Sequence, residues 1–354
     1  MIVDTLIVGQ GLAGSLLAWE LIQRGQHVVV IDDENPVSAS NIAAGIINPI
    51  TGQRLVKSWQ VDVLLPAALH CYRVLEQALG QRFYQQRAMV WLFRTEKQWL
   101  TWQQRQDDTA YQAYLGNKFL PGMFDDKLLD PLGGIEQPQT GFLMMRELLL
   151  ALKQLFISRH SFHAASIDYD TISNDDGVVK WGNFQAKNII FCEGFKAQAN
   201  PWFANLPFQL SKGEIITFTS DLGLPKNIIN DGYWLVPLND QVYRAGATYS
   251  ADALNSDGTE EARKVLLSSI QRKLKHTVSL KVISHHAGIR PTTSDKKPFI
   301  GTHPQYSQMA IFNGFGSKGA LMIPYFASQL CDYLLQGTPL PTEVDIKRFA
   351  RVAD

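Results

Sequence analysis

The chain has 354 residues, 45% of them hydrophobic and 19% charged, which predicts a globular protein of two domains or one large domain. Lys plus Arg and Asp plus Glu each number 33, so no overall basic field favours a nucleic acid or an anionic membrane as partner. Three scattered cysteines, no signal peptide and no apolar run of membrane-spanning length argue against a disulfide framework, a metal site and a membrane span. We therefore expect a cytoplasmic protein.

The first 32 residues read as a strand, a glycine turn, a helix and a second strand. Gly9, Gly11 and Gly14 fit the pattern G-x-G-x-x-G, which permits a tight turn, close approach of the backbone to a pyrophosphate, and close packing of helix on strand. Asp32 ends the second strand, where an acid can accept the hydroxyls of an adenosine ribose. An ordinary glycine turn is the alternative. The predicted dinucleotide-binding residues are Gly9, Gly11, Leu12, Ala13, Gly14, Asp32 and Asp33.

The middle of the chain changes pattern. Hydrophobic periodicity and turn residues predict these elements: a helix at about 60–80 ending at Gly80, a strand at 87–95, a helix at 96–106, a loop at 120–141, a helix at 145–159, and strands near 177–181 and 187–192. From about residue 213, alternating strands joined by short turns indicate an antiparallel sheet. A charged helix near 259–275 and a strand at 277–289 follow. The middle thus predicts a second domain between two pieces of a dinucleotide-binding domain.

A second glycine loop, "GFGSKG" at 314–319, opens the final helix, which we predict at about 317–336. It is not a phosphate-binding loop of the Walker A type, because Ala320 and Leu321 replace the required Lys-Ser/Thr pair. Two such sites, one near each end of the chain, suit a ligand with two ends. FAD has a pyrophosphate and a flavin ring that becomes anionic on reduction, whereas NAD needs only the first site.

With these motifs the chain resembles the D-amino-acid oxidase/glycine oxidase superfamily of FAD-dependent amine oxidoreductases. Three patterns carry the resemblance: G-hydrophobic-R-P-x-T at 288–293, D-x-x-P-hydrophobic-I-G at 295–301, and G-x-G-S-x-G at 314–319. "SASNIAAGIINP" is similar to the small-residue segment that family members pass beside the flavin, and "NIIFCEGFKA" to the strand-plus-glycine segment near the cofactor. The resemblance covers nearly the whole chain and is strongest at both ends.

The resemblance implies an α/β (α+β) fold with two interleaved domains. A Rossmann-type FAD-binding domain would comprise residues 1–84, 141–208 and 286–354, and an antiparallel-sheet substrate domain residues 85–140 and 209–285. FAD would be noncovalent, because no cysteine lies in the 314–319 loop. Further cofactor-binding residues implied are Ser40, Ala43, Ala44, Gly45, Cys192, Gly194, Gly288, Gly314, Gly316, Ser317, Lys318 and Gly319. A solvated lysine is the alternative for Lys318.

The implied reaction oxidises the C–N bond of an amino acid or secondary amine to an imine, by hydride transfer to flavin N5. Arg290 would clamp a substrate carboxylate through two parallel hydrogen bonds. Tyr233 and Tyr249 lie on predicted substrate strands, where a phenol could bind the same carboxylate. His286 would share the strand face of Arg290. A structural role is the alternative for all four residues.

The chain departs from the family pattern at two places near the expected site. His286 stands where the family often has Trp, and Cys192-Glu193-Gly194 replaces an Ala-Gly-like segment, so the substrate is not implied. Three other functions stay open: an oxidase acting on a modified tRNA base, because one bifunctional tRNA-modifying enzyme has a domain with a similar ending; an NAD-dependent dehydrogenase; and a flavin-binding protein without amine turnover. No specific nucleic-acid partner is expected, and the electron acceptor and oligomeric state stay open.

Overall fold

The computed structural model describes residues 1–36, 38–175, 177–221, 223–251, 254–276 and 278–349. The chain forms two compact units: the first comprises Met1–Asn41, Met145–Ser211 and Ile289–Asp354, and the second Ile42–Met144 and Lys212–Gly288. The chain therefore leaves the first unit and returns to it twice. Residues 42–84, 141–144 and 286–288, which the resemblance placed in the FAD-binding domain, belong to the second unit, and residues 209–211, which it placed in the substrate domain, belong to the first.

The elements are numbered here in chain order. The helices are α1 Leu12–Gln23, α2 Ala39–Ile42, α3 Val61–Leu79, α4 Glu96–Gln106, α5 Met145–Ser158, α6 Glu260–Gln271 and α7 Gly319–Gln336. The strands are β1 Ile2–Val8, β2 Val28–Asp32, β3 Ile46–Ile47, β4 Ile50–Thr51, β5 Val56–Lys57, β6 Tyr84–Gln86, β7 Met89–Leu92, β8 Lys118–Phe119, β9 Gly134–Gln137, β10 Gly141–Leu143, β11 Phe162–Ala164, β12 Ser173–Asp175, β13 Val178–Trp181, β14 Phe184–Phe191, β15 Ser211–Ser220, β16 Ile228–Asn230, β17 Trp234–Pro237, β18 Val242–Gly246, β19 Leu280–Arg290, β20 Phe299–Thr302 and β21 Met309–Asn313.

The first unit is built on a mixed sheet whose strands run in the order β11-β2-β1-β14-β13-β12, with β21 beside β14 and β20 beside β21. β1 pairs in parallel with β2 and β14, and β14 with β21. These central strands are nearly all apolar and buried, as expected for a parallel sheet covered on both faces. The carboxyl ends of β1, β2, β14 and β21 therefore lie at one edge of the sheet, where doubly wound folds bind ligands.

The second unit is built on a sheet with the strand order β19-β15-β18-β17-β16-β7-β9-β8. The predicted antiparallel run is confirmed for β15, β18, β17 and β16, whereas β7 lies parallel to β16. One face packs on an apolar cluster that includes Phe218, Tyr243, Leu266 and Ile270. Because Leu266 and Ile270 belong to α6, that helix covers this face.

The predicted helices agree with the structure except at their ends. Gly80 ends α3 in the left-handed conformation, at φ 66°, as a C-cap glycine does. The loop predicted at 120–141 is wrong in part, because it contains β9 and the first residue of β10. These strands are short, and β9 has no alternation of polar and apolar residues that would reveal it in the sequence. The strand predicted at 277–289 is β19, and Thr277 lies outside the described residues.

Candidate functional site

The glycine turn after β1 leaves no room for a side chain at its first and third motif glycines. Gly9 adopts φ +102°, and a Cβ atom there would lie 2.7 Å from the carbonyl oxygen of Cys192. A Cβ atom at Gly14 would overlap the carbonyl oxygen of Gly9. The first and third glycines of the motif therefore allow the turn itself and the close packing of α1 on β1, as the sequence predicted.

The amino end of α1 faces a polar side chain from the segment that follows β2. The backbone N–H of Leu12 donates to the hydroxyl of Ser40 at 3.1 Å, and a Cβ atom at Gly11 would lie 3.2 Å from the same oxygen. The first N–H groups of a helix carry partial positive charge and lack intrahelical partners. Ser40 thus lies at the position that suits a phosphate group.

Asp32 and Asp33, at the end of β2, have different partners. Asp32 accepts hydrogen bonds from the backbone N–H groups of Gln10 at 2.7 Å and Glu34 at 2.8 Å. Asp33 forms an ion pair with Lys196. Partial burial raises the pKa of Asp33, but the hydrogen bond and charge of Lys196 outweigh it and hold this pKa below its usual value. Asp32 is therefore tied to the glycine turn, and Asp33 to the segment after β14.

The segment after β14 carries a buried thiol and a carboxyl group. Burial, with the negative charge of Glu193 beside it, raises the pKa of Cys192 well above its ordinary value. Glu193 accepts hydrogen bonds from the hydroxyl of Tyr169 at 2.6 Å and from the side-chain amide of Asn200 at 2.8 Å. Burial raises the pKa of Glu193, and these two hydrogen bonds offset that rise only in part.

The second glycine loop begins where β21 ends. The side-chain amide of Asn313 donates to the carbonyl of Gly194 at 2.9 Å and accepts from the backbone N–H of Gly314 at 2.7 Å. Gly314 and Gly316 adopt φ +82° and +53°, so both use the left-handed conformation that favours glycine. Asn313 thereby joins the loop to the segment after β14, bringing together two of the predicted cofactor segments.

Lys318 precedes α7 directly. It is partly buried, and desolvation lowers the pKa of its ammonium group to about 8. Ser317, Lys318 and Gly319 were all predicted to bind the cofactor, and all three lie at the amino end of α7 in the first unit. A helix amino end with an adjacent lysine favours negative charge.

Arg290 lies in the first unit, at the last position of β19. A turn at 291–298 leads from it to β20. The backbone N–H of Thr292 donates to the carbonyl of Arg290 at 2.9 Å, and the backbone N–H of Gly316 donates to the carbonyl of Pro291 at 3.1 Å. Arg290 is thus one residue away from a direct backbone contact with the second glycine loop.

Four predicted cofactor residues, Ala43, Ala44, Gly45 and Gly288, belong to the second unit. Gly45 adopts φ +68° and its carbonyl accepts from the backbone N–H of Leu143 at 3.0 Å. A Cβ atom at Gly45 would overlap the carbonyl oxygen of Leu143. Gly45 therefore has a structural reason to be glycine, independent of any ligand.

The three other residues predicted at the substrate site also lie in the second unit. Tyr233 packs against the apolar cluster covered by α6. The neighbouring Trp234 lies over Gly246, and its ring would be 2.7 Å from a Cβ atom added at Gly246. Tyr249 is 67% exposed, and His286 is exposed as well. Since Tyr233 shares its core with Leu235, Trp234 is the aromatic residue on the opposite face of the sheet.

Three polar residues that organise the first unit's site were not predicted from the sequence: Gln10, Lys196 and Asn313. Gln10 lies inside the glycine motif; its backbone N–H donates to Asp32, and its side-chain amide donates to the Ser15 hydroxyl and the Leu149 carbonyl, contacts that the motif pattern does not reveal. Asn313 directly precedes Gly314, and a side chain that precedes a glycine turn and binds the next N–H is a recognisable turn signal. Lys196 meets Asp33 only through the fold, so no local signal predicts it.

The residues of the first unit fit FAD. The glycine turn has no Cβ atom at its three motif positions, the amino end of α1 offers N–H groups, and Asp32 stands at the end of β2. The second glycine loop opens α7 and would favour negative charge on a flavin.

In the described ranges, no group of three or more His, Cys, Asp or Glu residues could hold a metal ion. No helix of that same part of the chain has the length and apolarity needed to cross a membrane.

Comparison with known proteins gives concordant results. A family model described as FAD dependent oxidoreductase matches residues 4–333. Glycine oxidase of Pseudomonas aeruginosa is 22% identical over 95% of this chain and 95% of its own length. A bifunctional tRNA 5-methylaminomethyl-2-thiouridine biosynthesis protein of Vibrio campbellii is 24% identical over 96% of this chain, but only 57% of that protein is covered. The crystal structure of glycine oxidase from Geobacillus kaustophilus has a TM-score of 0.82 at 19% identity, with 96% of both chains covered. That last similarity is one of fold.

Proposed function

Because the chain belongs to the FAD dependent oxidoreductase family, we propose that it oxidises the C–N bond of an amino acid or secondary amine to an imine. The predicted resemblance to the D-amino-acid oxidase/glycine oxidase superfamily is confirmed, as are the interleaved α/β fold class and the dependence on FAD. The chain is thus an FAD-dependent amine oxidoreductase, and the proposal concerns the substrate, the reacting bond and the residues that act on them.

The position of Arg290 supports this proposal most. It ends β19 and is followed at once by a turn whose Pro291 carbonyl accepts the N–H of Gly316 in the second glycine loop. A guanidinium group presents a planar fork of donors that matches a carboxylate. We assign Arg290 the binding of the substrate carboxylate, which would fix the α-carbon relative to the flavin.

The other residues of the first unit would bind and polarise the cofactor. The amino end of α1 and Ser40 would hold the pyrophosphate, and Asp32 the ribose hydroxyls. The N–H groups of the second glycine loop and the ammonium group of Lys318 would stabilise negative charge at the flavin N1–C2 carbonyl edge. Bound FAD supplies the acceptor of the hydride equivalent at N5, and water hydrolyses the imine product after release.

We propose that FAD is noncovalent. The loop at 314–319 contains no cysteine. Burial raises the pKa of Cys192 and raises that of Cys331 to about 12, so neither thiol is readily ionised, and the thiolate is the reactive form of cysteine. We also propose a cytoplasmic location, which suits the finding that Cys71, Cys192 and Cys331 form no disulfide in the described part of the chain.

The test is an anaerobic screen of purified yellow protein against D- and L-amino acids, N-methyl amino acids and amines without a carboxylate. Bleaching of the flavin absorbance by one class, with an imine-derived carbonyl product in equal amount, supports the proposal. Trichloroacetic acid precipitation should leave the flavin in the supernatant. A protein whose flavin is bleached by dithionite but by no amine would be a flavin-binding protein without amine turnover.

A second candidate is oxidation of a modified tRNA base, which the match to the tRNA-modifying protein of Vibrio campbellii favours. Basic and acidic residues are equal in number, so the overall charge provides no extended positive field for the phosphate backbone of tRNA, which counts against this candidate. The same screen with a nucleoside that carries an aminomethyl substituent, free and within tRNA, separates the two candidates. Bleaching by the nucleoside-containing tRNA alone would favour this second function.

A further inference from the structure

The segment that follows α7 returns to the turn next to Arg290. We call residues 338–349 the C-terminal strap. Its Val344 carbonyl accepts a hydrogen bond from the backbone N–H of Ile300 at 3.0 Å, and Leu340, Val344 and Ile346 are buried. The strap is therefore part of the packed structure of the first unit, although it lies beyond the residues matched by the family model, 4–333.

Arg348, near the end of the strap, makes a dense set of contacts with the turn at 291–298. Its side chain is 15% exposed. Its guanidinium group donates from Nε to Asp295 Oδ2 at 2.9 Å, from Nη2 to Asp295 Oδ1 at 3.5 Å, from Nη1 to the Asp345 carbonyl at 3.1 Å, and from Nη2 to the carbonyls of Lys297 and Pro298 at 3.3 and 3.0 Å. It also lies 5.3 Å from the ring centroid of Phe299 and 4.4 Å from that of Phe349.

These contacts use the geometry of arginine in particular. One planar group reaches a carboxylate and three carbonyls while its face lies near aromatic rings. A lysine has a single ammonium group and cannot make parallel bonds to a carboxylate or stack in this way. Because the side chain is largely buried, the ion pair with Asp295 is screened less than an exposed pair would be. Arg348 therefore fixes the outer side of the turn.

The inner side of the same turn contacts the second glycine loop. The Pro291 carbonyl accepts from the N–H of Gly316 at 3.1 Å, and the hydroxyl of Thr293 closes the turn by donating to the Lys297 carbonyl at 2.8 Å. A Cβ atom at Gly314 would lie 2.7 Å from the side chain of Thr293, which is fully buried. The turn thus contacts the loop directly at Gly314 and Gly316, so we expect a shift of the turn to move the loop or Arg290.

We propose that Arg348 is a positioning residue, which holds the turn at 291–298 against the second glycine loop and so sets the place of Arg290. The guanidinium of Arg348 and the hydroxyl of Thr293 both donate to the Lys297 carbonyl, and the Pro291 carbonyl of the same turn accepts from the N–H of Gly316. The effect on the loop does not depend on the substrate. The effect on turnover rests on the proposed role of Arg290 as the carboxylate-binding residue.

The experiment compares the flavin-loaded wild type with Arg348→Gln and Arg348→Lys, and with Lys347→Gln as a matched control. Lys347 is the adjacent basic residue, and its ammonium group lies 5.9 Å from the ring centroid of Tyr333, a residue of α7. The first readout is hydrogen–deuterium exchange of peptides that cover 290–298 and 314–319. The second is KM and kcat for an amino acid and for an amine that lacks a carboxylate.

Both peptides should exchange faster in the two Arg348 variants than in wild type and Lys347→Gln. Misplacement of a binding group by a fraction of an ångström to an ångström costs about tenfold to a hundredfold, so KM for the amino acid should rise by that factor in Arg348→Gln. For the amine without a carboxylate, KM should change less than about twofold, because its binding does not use Arg290. Arg348→Lys, which keeps the charge and disturbs the fold least, should lie between wild type and Arg348→Gln.

Unchanged exchange in both peptides overturns the proposal, whatever the kinetics show. A purely structural arginine would instead lower the melting temperature and reduce turnover of both substrates by the same factor. If Arg290→Met abolishes amino-acid turnover while Arg348→Gln leaves KM unchanged, the proposed function stands and the role of Arg348 is wrong. If no amine is oxidised even by wild type, the proposed function fails. Faster exchange at 314–319 together with weaker FAD binding in the Arg348 variants would then still support the role of Arg348, and unchanged exchange would overturn it.

Discussion

The carboxylate of Asp32 accepts a hydrogen bond from the backbone N–H of Gln10 at 2.7 Å, which ties the end of β2 to the middle of the glycine turn after β1. The other carboxylate oxygen accepts from the backbone N–H of Glu34 at 2.8 Å. One acid thus holds the turn that would receive the pyrophosphate and also stands where the ribose hydroxyls would bind. Loss of this side chain should affect both contacts.

We predict that Asp32→Ala weakens FAD binding, because each hydrogen bond to a charged group contributes about 1.5–3 kcal/mol. The measurement is titration of the flavin-free protein with FAD, followed by quenching of flavin fluorescence. Asp4→Ala is the matched control, since the Asp4 carboxylate also accepts a backbone hydrogen bond, from His27 at 2.9 Å, near the opposite end of β1. If Asp33→Ala weakens binding and Asp32→Ala does not, the ribose is held by Asp33.

Substitutions at two of the motif glycines should affect different properties of the protein. A methyl group at Gly14 would overlap the Gly9 carbonyl, so Gly14→Ala should destabilise the fold by about 1–3 kcal/mol or more through overpacking. A methyl group at Gly11 meets only the Ser40 side chain, whose hydroxyl oxygen is 3.2 Å away, so Gly11→Ala should keep the fold and lose FAD affinity. Urea denaturation and FAD titration separate these effects. Gly223→Ala is the control, because no atom lies within 4 Å of a Cβ there; equal stability of all three variants would contradict this account.

Lys318 should give the flavin-free protein a distinctive pH dependence. Its pKa is about 8 in the folded protein, lowered by burial, against an ordinary value of 10.5. Between these two values the unfolded chain binds more protons than the folded one, so this residue makes stability rise with pH across that window. In Lys318→Met the rise should be smaller, which melting temperatures measured from about pH 7 to pH 10.5 would show. An identical pH profile in wild type and variant would place the lysine in contact with water.

Glu193 should act in the opposite direction. Burial raises its folded-state pKa above the ordinary value of 4.5, despite hydrogen bonds from Tyr169 and Asn200. Between 4.5 and the folded-state pKa, the folded protein binds more protons at this site than the unfolded chain does. The contribution of Glu193 to stability is therefore present at low pH and is lost as the pH rises through the folded-state pKa. Glu193→Gln removes this contribution. The melting temperature of the variant, relative to wild type, should therefore increase from acidic to neutral pH, and a constant difference would contradict the prediction.

Local patterns predicted the parts of this fold that depend on neighbours in sequence. The glycine turn, α1 and β2 follow from one βαβ pattern, and Gly80 ends α3 because only a residue tolerant of positive φ suits that position. Contacts between distant segments could not be predicted in this way. Lys196 meets Asp33, and Arg348 meets Asp295, only because the parallel sheet and the C-terminal strap bring these positions together.

The face of a strand residue is a more subtle case. The sequence placed Tyr233 on a substrate strand without fixing its face; the structure packs it on the apolar cluster under α6, and Trp234 lies on the other face. Side chains alternate along a strand, so an error of one residue in register reverses the face of every side chain. Both residues are aromatic and adjacent, and only the pairing of β17 with β18, in which Trp234 is opposite Gly246, fixes the register.

Arg290 gives the sharpest test of the proposed reaction. Arg290→Met keeps a long side chain but removes the charge and the fork of donors. The loss of two charge-assisted hydrogen bonds should lower kcat/KM for an amino acid by roughly two to four orders of magnitude. Arg290→Lys should restore only part of this, since a point charge cannot make two parallel hydrogen bonds. The measurement is the rate of anaerobic flavin bleaching as a function of substrate concentration.

Two controls belong to this test. FAD affinity should be unchanged in both Arg290 variants, because Asp32 and the glycine turn that would hold the adenosine and pyrophosphate lie at the other end of the sequence and are unaltered. An amine without a carboxylate should be oxidised at nearly the same rate by wild type and by Arg290→Met, since it has no group for the guanidinium to bind. Equal bleaching by an amino acid in all three proteins would remove Arg290 from the site. It would also favour a substrate whose recognition does not depend on a carboxylate.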